Sequence, residues 1–198
     1  MAAICATGMM ANAQSTGEGS MMLGGNFNVN ITKHVAWGVN PQFGYFIKDN
    51  IAVGIMAGAN GGYIKTVKSL DGTKEAIVNN FGWNAGLFGR YYKALANNFF
   101  VYGAATFGYG SNGYKDMVPE LLKPSEIKDN GRVDMSNLNV SIFPGFAFFP
   151  SPNWGIDFSL NNIISFNSNS VGGTNTNTFD IGAGTTPTIG INYYFGKE

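Results

Sequence analysis

The sequence is poor in charged residues. Only 12% of its 198 residues are charged, and 12 Lys and Arg are balanced by 12 Asp and Glu. Soluble domains usually carry about 25% charged residues, so the deficit is unusual for a soluble protein. A chain without a basic or acidic excess lacks the electrostatic signature of a nucleic-acid-binding protein or of one with an acidic ligand. We therefore expect no nucleic-acid partner.

Cysteine and long apolar runs are also scarce. The single cysteine, Cys5, lies in a short apolar run that ends at Ala11-Asn12-Ala13, a small-x-small sequence typical of signal-peptide cleavage. We predict a signal peptide over residues 1–13, incomplete at its N-terminus because no Lys or Arg precedes the run, and a mature domain over 14–198. The mature domain then has no disulfide, no thiol nucleophile and no cysteine-based metal site. No run of about 18 apolar residues predicts a transmembrane helix.

Hydrophobicity alternates along much of the sequence with a period of two residues. Large apolar residues alternate with glycine and asparagine, as in Trp37-Gly38-Val39-Asn40, and such alternation places the two sets on opposite faces of a strand. Most of the segments are 11–17 residues long, enough for the ~9–11 residues that a strand needs to cross a membrane. The pattern predicts eight strands, at 23–31, 35–47, 51–63, 81–91, 99–109, 138–148, 154–160 and 179–195.

The connections between these segments differ in length. Short polar turns are expected at 48–50, 93–98 and 150–153, and long loops at 66–80, 111–134 and 167–178, with 32–34 as a short exception on the long side. Short turns at one end and long loops at the other are typical of outer-membrane barrels. We predict an all-β fold, an eight-stranded antiparallel up-and-down transmembrane β-barrel. A soluble two-sheet sandwich is the competing interpretation.

The positions of the charges indicate which face meets lipid. Only Arg90, Asp157 and Asp180 lie within the predicted strands, all on the face rich in Gly and Asn. A Lys or Arg facing hydrocarbon near the midplane costs about 2–4 kcal/mol, so we expect the apolar face to point outward. Arg90 and Asp157 lie at a similar depth near the short turns, which predicts a salt bridge inside the barrel. Asp180 lies near the long loops, at the wrong depth to be the partner.

Aromatic residues on the apolar face are concentrated near the strand ends. Amphipathic rings favour the two membrane interfaces, so we expect two aromatic girdles. The Trp and Tyr residues assigned to them are Trp37, Tyr45, Tyr63, Trp83, Tyr91, Trp154 and Tyr193.

Two local motifs resemble a known family. The stretch Gly44-Tyr45-Phe46, followed by Asp49 to Gly54, is similar to a strand–turn–strand of porin-family domains. The ending Tyr193-Tyr194-Phe195 resembles the aromatic terminal strand that the barrel assembly machinery reads. Over about residues 19–195 the chain resembles the eight-stranded outer-membrane barrels related to outer-membrane proteins A and X. The resemblance implies a bacterial outer-membrane location, lipid and the assembly machinery as partners, and Phe195 as the assembly signal.

The sequence contains no recognisable catalytic set. Its single histidine, His34, has no nucleophile motif to serve, and a catalytic histidine needs a nucleophile and an orienting partner. We expect no enzyme activity, no cofactor and no metal. The loop 111–134 carries nine charges and several apolar residues. It either packs on the barrel rim or binds an extracellular partner.

These observations predict a non-enzymatic outer-membrane barrel. Its rigid wall would display extracellular loops for envelope integrity, adhesion or partner binding. The alternative is a narrow channel for small solutes, because many inward glycines leave room for water. Against a wide pore, side chains just fill the interior of an eight-stranded barrel.

Overall fold

The computed structural model describes residues 16–31, 34–68, 75–115, 133–160, 163–182 and 188–196. Within these ranges the regular structure is entirely strand. No helix in them is long and apolar enough to cross a bilayer. The ten strands are β1 (Met21–Ile31), β2 (His34–Lys48), β3 (Ile51–Lys68), β4 (Glu75–Ala96), β5 (Phe99–Lys115), β6 (Val133–Ser151), β7 (Trp154–Ser159), β8 (Ile164–Val171), β9 (Thr174–Ile181) and β10 (Thr188–Phe195).

The strands close into an antiparallel barrel. Each strand from β1 to β6 pairs with the next along the chain, β6 pairs with β7, and β7 pairs with β10. The ring is completed by β10 and β1, with Phe195 opposite Met21. β7 and β8 occupy one position in the wall, and β9 and β10 the next, so the barrel has eight strand positions. The predicted fold class is confirmed.

The seventh wall position contains an irregularity. Along β6, the residues paired with Ser159 and Ile164 are Gly145 and Ile142. β6 therefore advances three residues while the opposite segment advances five. Two extra residues are taken up here, although residues 161–162 themselves lie outside the described ranges. An insertion of two residues keeps the alternation of faces on both sides of it.

At the long-loop end the strands run further than the sequence predicts. β3 ends at Lys68 and β4 begins at Glu75, so the connection is residues 69–74 rather than 66–80. β5 reaches Lys115 and β6 starts at Val133. Of the predicted loop 111–134, only residues 116–132 lie between strands, and these are outside the described residues. At the other end β4 continues to Ala96, which reduces the predicted turn 93–98 to residues 97–98.

The predicted long loop at 167–178 is wrong, because this segment is a β-hairpin. β8 and β9 pair along their whole length, and Gly172 and Gly173 join them with φ angles of 57° and 85°. A two-residue turn with both φ angles positive matches the twist of a hairpin and favours glycine at both positions. The many Asn, Ser and Thr residues resemble a loop in composition, but they continue the alternation of a strand.

The short-turn end is covered by the segment just before β1. Thr16 Oγ1 donates to Asn50 Oδ1 at 2.9 Å, and the Asn50 backbone N–H donates to the Thr16 carbonyl oxygen at 2.7 Å. Asn50 has a φ of 63° in the β2–β3 turn, a conformation that asparagine tolerates better than most residues. Residues 16–20 therefore lie against this turn.

The lumen has two different halves. Near the short turns it is filled by a cluster of buried apolar side chains, which we call the floor. The floor comprises Met22, Phe46, Ala52, Phe88, Tyr92, Phe100, Tyr102, Ala104, Ala147, Phe149 and Tyr194. Nearer the long loops the inward residues are mainly Asn, Ser and Gly, and we call this half the well. Its amides are Asn26, Asn28, Asn40, Asn60, Asn84, Asn112, Asn139 and Asn167.

The large apolar residues of the other parity cover the outside of the barrel. Leu87, in the middle of β4, is 57% exposed, and Ile55 and Phe107 on the adjacent strands are exposed beside it. Such a continuous apolar surface would be unfavourable in water and matches a hydrocarbon environment.

Candidate functional site in the barrel lumen

The structure brings Arg90 and Asp157 together inside the barrel. Arg90 Nη1 donates to Asp157 Oδ2 at 2.7 Å, and both side chains are buried. β4 and β7 carry these residues, and neighbouring wall residues of both are small: Arg90 is opposite Ala52 and Ala104, and Asp157 opposite Ala147. Small neighbours let the long Arg side chain cross the lumen.

Two amides extend this ion pair into a network. Arg90 Nη2 donates to Gln42 Oε1 at 2.9 Å, and Gln42 Nε2 donates to Asn192 Oδ1 at 2.7 Å. The connected side chains come from β2, β4, β7 and β10. Pairing and these amide contacts stabilise the buried guanidinium and link four strands across the lumen. Among the described residues, Arg90 Nε and Asp157 Oδ1 are nevertheless buried without a hydrogen-bond partner.

Aromatic rings surround the guanidinium. The Arg90 guanidinium carbon lies 5.1 Å from the Phe88 ring centroid and 5.0 Å from that of Tyr102, within the range of a cation–π interaction. Tyr92 adds a long hydrogen-bond contact, with its hydroxyl 3.3 Å from Arg90 Nη1. Arg90 is thus held on its polar edge by Asp157 and Gln42 and on its faces by rings.

The aromatic rings of the floor also pack against one another. The ring centroids of Phe149 and Tyr194 are 4.9 Å apart, those of Phe100 and Phe149 are 5.2 Å apart, and those of Tyr92 and Tyr102 are 5.4 Å apart. These separations, with two tilted pairs and one edge-to-face pair, are those that aromatic rings prefer. The floor is therefore packed like the core of a soluble protein.

Most of the floor was not predicted from the sequence. The alternation assigned small, amide-rich residues to the inward face, whereas Phe46, Tyr92 and Tyr194 are inward and almost fully buried. Gln42 and Asn192 were also not singled out. A signal for the rings was present, because β2, β4, β6 and β10 each carry adjacent aromatic residues near the short-turn end, as in Tyr91-Tyr92 and Tyr193-Tyr194. Adjacent residues of a strand point to opposite faces, so one of each pair must enter the lumen.

Hydrogen bonds between amides link the strands around the well. Asn40 Nδ2 donates to Asn26 Oδ1 at 3.1 Å, and Asn84 Nδ2 donates to Asn40 Oδ1 at 3.3 Å. On the other side of the well, Asn139 Nδ2 donates to Asn167 Oδ1 at 2.7 Å. These side chains are partly exposed rather than buried, in contrast to the floor.

The residues assigned to aromatic girdles lie on the outer surface. All seven, Trp37, Tyr45, Tyr63, Trp83, Tyr91, Trp154 and Tyr193, are exposed. Trp154 and Tyr193 pair across strands at the short-turn end, with ring centroids 5.1 Å apart. Along β2, Tyr45 and Trp37 are eight residues apart, which is about 27 Å of strand at 3.4 Å per residue. With the usual tilt of membrane strands this separation approaches the height of an apolar band.

Other residues singled out from the sequence lie apart from the lumen network. Phe195 is the last residue of β10 and points outward, and Asp180 lies on exposed β9 opposite Ser165. His34 begins β2. The predicted signal peptide, residues 1–13, lies outside the described residues. Within the described ranges no group of three or more His, Cys, Asp or Glu residues is placed to hold a metal ion.

Comparison with known proteins gave matches among solved structures only. No family model matches the chain, and no curated protein matches it. The outer membrane protein OprG from Pseudomonas aeruginosa is 16% identical, with 93% of this chain and 99% of OprG covered and a TM-score of 0.51. The chain has the fold of an eight-stranded outer-membrane β-barrel. At this identity the likeness shows the fold of the barrel and not its function.

Two further solved barrels are similar at lower TM-scores. The N-terminal β-barrel domain of OprF from Pseudomonas aeruginosa is 12% identical, with 90% of this chain and 99% of that domain covered and a TM-score of 0.43. Outer membrane protein W from E. coli is 14% identical, with 90% of this chain and 98% of that protein covered and a TM-score of 0.43.

Proposed function

We propose that this barrel is a non-enzymatic, non-conducting protein of the bacterial outer membrane. Its role is to display rigid hairpins on the outside of the cell for envelope integrity, adhesion or partner binding. The observation that carries the proposal is the floor. Eleven buried apolar residues and a buried ion pair fill the lumen near the short turns, and we infer from the packing of these described residues that water has no continuous route to the periplasmic side.

The packing of the floor also bears on the alternative function, a narrow channel for small solutes. Inward glycines were expected to leave room for water, but several accommodate side chains from other strands. A Cβ atom at Gly145 would meet the Tyr102 ring, one at Gly54 the Phe88 ring, and one at Gly24 the Asn192 amide. Glycine in this barrel thus supports close packing rather than an open pore, which favours the non-conducting function.

The height of the barrel wall at the long-loop end also supports the proposed display of rigid hairpins. β3 continues past Tyr63 to Lys68, β5 past Tyr109 to Lys115, and the β8–β9 hairpin is polar at its tip. Hydrogen-bonded strands that extend past the upper aromatic residues hold their tips in place better than free loops do. We place the long-loop end outside the cell, with both aromatic girdles at the lipid interfaces and Phe195 as the signal for the assembly machinery.

Recording from planar bilayers tests the closed floor. We expect no discrete conductance steps from the refolded wild-type chain. The positive control is the triple variant Arg90→Ala/Asp157→Ala/Tyr92→Ala, which removes the charge pair together with one large ring and should conduct. A difference in gel migration between boiled and unboiled samples verifies that both barrels are folded, since a closed barrel resists unravelling. Wild-type steps as large as those of the triple variant would refute a non-conducting barrel.

Epitope insertion tests the location and orientation. An epitope placed between Gly172 and Gly173 should be labelled by antibody on intact cells. The same epitope between Asn97 and Asn98 is the matched control and should be labelled only after the outer membrane is permeabilised. Labelling of the second site on intact cells, or of neither site in a folded barrel, would contradict the proposed orientation.

A further inference from the structure

The well contains a cavity next to the floor, since Phe143, which packs against the floor, is among its lining residues. Its volume is about 420 Å³, within the ~300–1,000 Å³ usual for small-molecule sites. Among the described residues its polar lining consists of Asn26, Asn28, Asn40, Ser159 and Thr188. A solute that enters this cavity from the long-loop end reaches a packed floor beneath it. The cavity is therefore suited to holding a ligand rather than to passing one through.

The amides of this cavity have hydrogen-bonding capacity to spare. A carboxamide offers two N–H donors and two acceptor lone pairs. Asn26 accepts one hydrogen bond from Asn40, and Asn40 in turn accepts one from Asn84. These contacts use one N–H of Asn40 and neither N–H of Asn26. Contacts between described residues thus leave N–H donors of Asn26 and Asn40 over, and both side chains are partly exposed, where a ligand can reach them.

Glycines beside the amides leave the room in which the amides lie. A Cβ atom at Gly58 would meet Asn40 Oδ1 and Asn84 Nδ2, and one at Gly38 would meet Asn28 Oδ1. The wall thus leaves space for three amides to lie flat against the backbone of a neighbouring strand. Side chains positioned in advance lose less entropy when a ligand binds. This arrangement therefore favours a role of the amides in ligand binding over a role in which they only occupy space in the lumen.

The lining also indicates the chemistry of the ligand. No charged residue is among the described residues that line the cavity, and the charges of Arg90 and Asp157 below it are paired and buried. Phe143 and Leu160 add an apolar patch to the lining. A site with amides, hydroxyls and one apolar patch suits a neutral molecule that carries several hydroxyl groups and a face of C–H bonds. We propose that the cavity binds a small neutral sugar, a free mono- or disaccharide.

The test uses the refolded full-length chain in a detergent without a sugar head group. The probes are glucose, galactose, N-acetylglucosamine, maltose and lactose, with gluconate and glucosamine as charged analogues. Binding is followed by chemical-shift changes of the backbone amides. We expect at least one neutral sugar to produce saturable shifts at Asn26, Asn40 and Ser159, with the charged analogues at least tenfold weaker. Absence of saturable shifts for all neutral sugars, or equal binding of the charged analogues, would overturn the proposal.

A pair of matched variants locates the site. Asn40→Ala removes an amide of the cavity, whereas Asn137→Ala removes one that bonds to Asn169 outside it. We expect the first to weaken sugar binding about tenfold and the second by less than twofold. Thr188→Val keeps the shape of its side chain and loses only a hydroxyl, so it serves where Asn40→Ala fails to fold, with an expected loss of about threefold. Equal affinity of the cavity variants and Asn137→Ala would place the sugar elsewhere and contradict the assignment.

Discussion

The floor and the well lie inside one wall, yet they follow different packing rules. In the floor the inward residues are large and their rings interlock, with Phe149 only 1% exposed. In the well they are amides that bond to one another and remain partly exposed. Strands β2 to β6 run through both halves as one antiparallel sheet. The difference teaches that the size of the inward residues, level by level, decides whether a narrow barrel is closed or open to solvent.

The substitution with the largest expected effect on stability removes the buried carboxylate of Asp157. Asp157→Asn leaves the Arg90 charge in the floor without its counter-charge, and breaking a buried pair in this way costs about 3–5 kcal/mol. Asp180→Asn is the matched control, since Asp180 is exposed on β9, and we expect it to change stability by less than about 0.5 kcal/mol. Denaturant unfolding followed by tryptophan fluorescence measures both. Equal stability of the two variants would mean that the floor does not depend on its ion pair.

A second test compares the outside of the wall with the well. Leu87→Arg places a charge on the apolar outer surface in the middle of β4, at a cost of about 2–4 kcal/mol in lipid. Asn84→Arg places the same charge inside the partly exposed well, and we expect it to assemble better. The yield of heat-modifiable barrel after refolding into vesicles reports assembly. Similar yields would show that the two faces have been assigned the wrong way round.

The smallest expected effects come from three glycine-to-alanine changes. At Gly145 a Cβ atom would meet the packed Tyr102 ring, and at Gly58 it would meet two amides beside the open well. We expect a loss of about 1–3 kcal/mol for Gly145→Ala, because overpacking a closed core is costly, and a smaller loss for Gly58→Ala. Gly103 has no atom within 4 Å of a Cβ position, so Gly103→Ala is the control. A ranking with Gly58→Ala as the most destabilising would contradict the expectation that the packed floor tolerates an added methyl group less well than the partly exposed well.

Much of the fold follows from the alternation of residues. A charge in hydrocarbon is costly, so the sequence keeps charges off one parity, and the outward placement of Leu87 could be predicted. The same reasoning placed Arg90 and Asp157 at one depth. The amide partners could not be predicted this way, because the stagger of β2 and β10 against β4 decides that Gln42 and Asn192 reach the ion pair.

The features that were not predicted from the sequence also have physical explanations. Composition suggested a loop where Gly172-Gly173 closes a hairpin, although a Gly-Gly pair between two alternating segments is a hairpin signal. Tyr92 and Tyr194 were not predicted to lie in the lumen. Their neighbours Tyr91 and Tyr193 were assigned to the girdles, and that assignment already accounted for the presence of aromatic residues near these strand ends. Near the strand ends, the inward face carries its own aromatic set, and parity alone does not reveal how densely that set packs.

The pairing of β10 with β1 has a consequence for how the barrel forms. Phe195 lies opposite Met21, so the final seam joins residues that are far apart along the chain. Contacts of such high sequence separation form late and slowly, because the entropy of the intervening chain must be lost first. Until β10 is in place, β1 and β7 each present an unpaired edge, which hydrocarbon does not tolerate. By pairing with both β1 and β7, β10 is therefore the strand that allows the others to remain in the membrane.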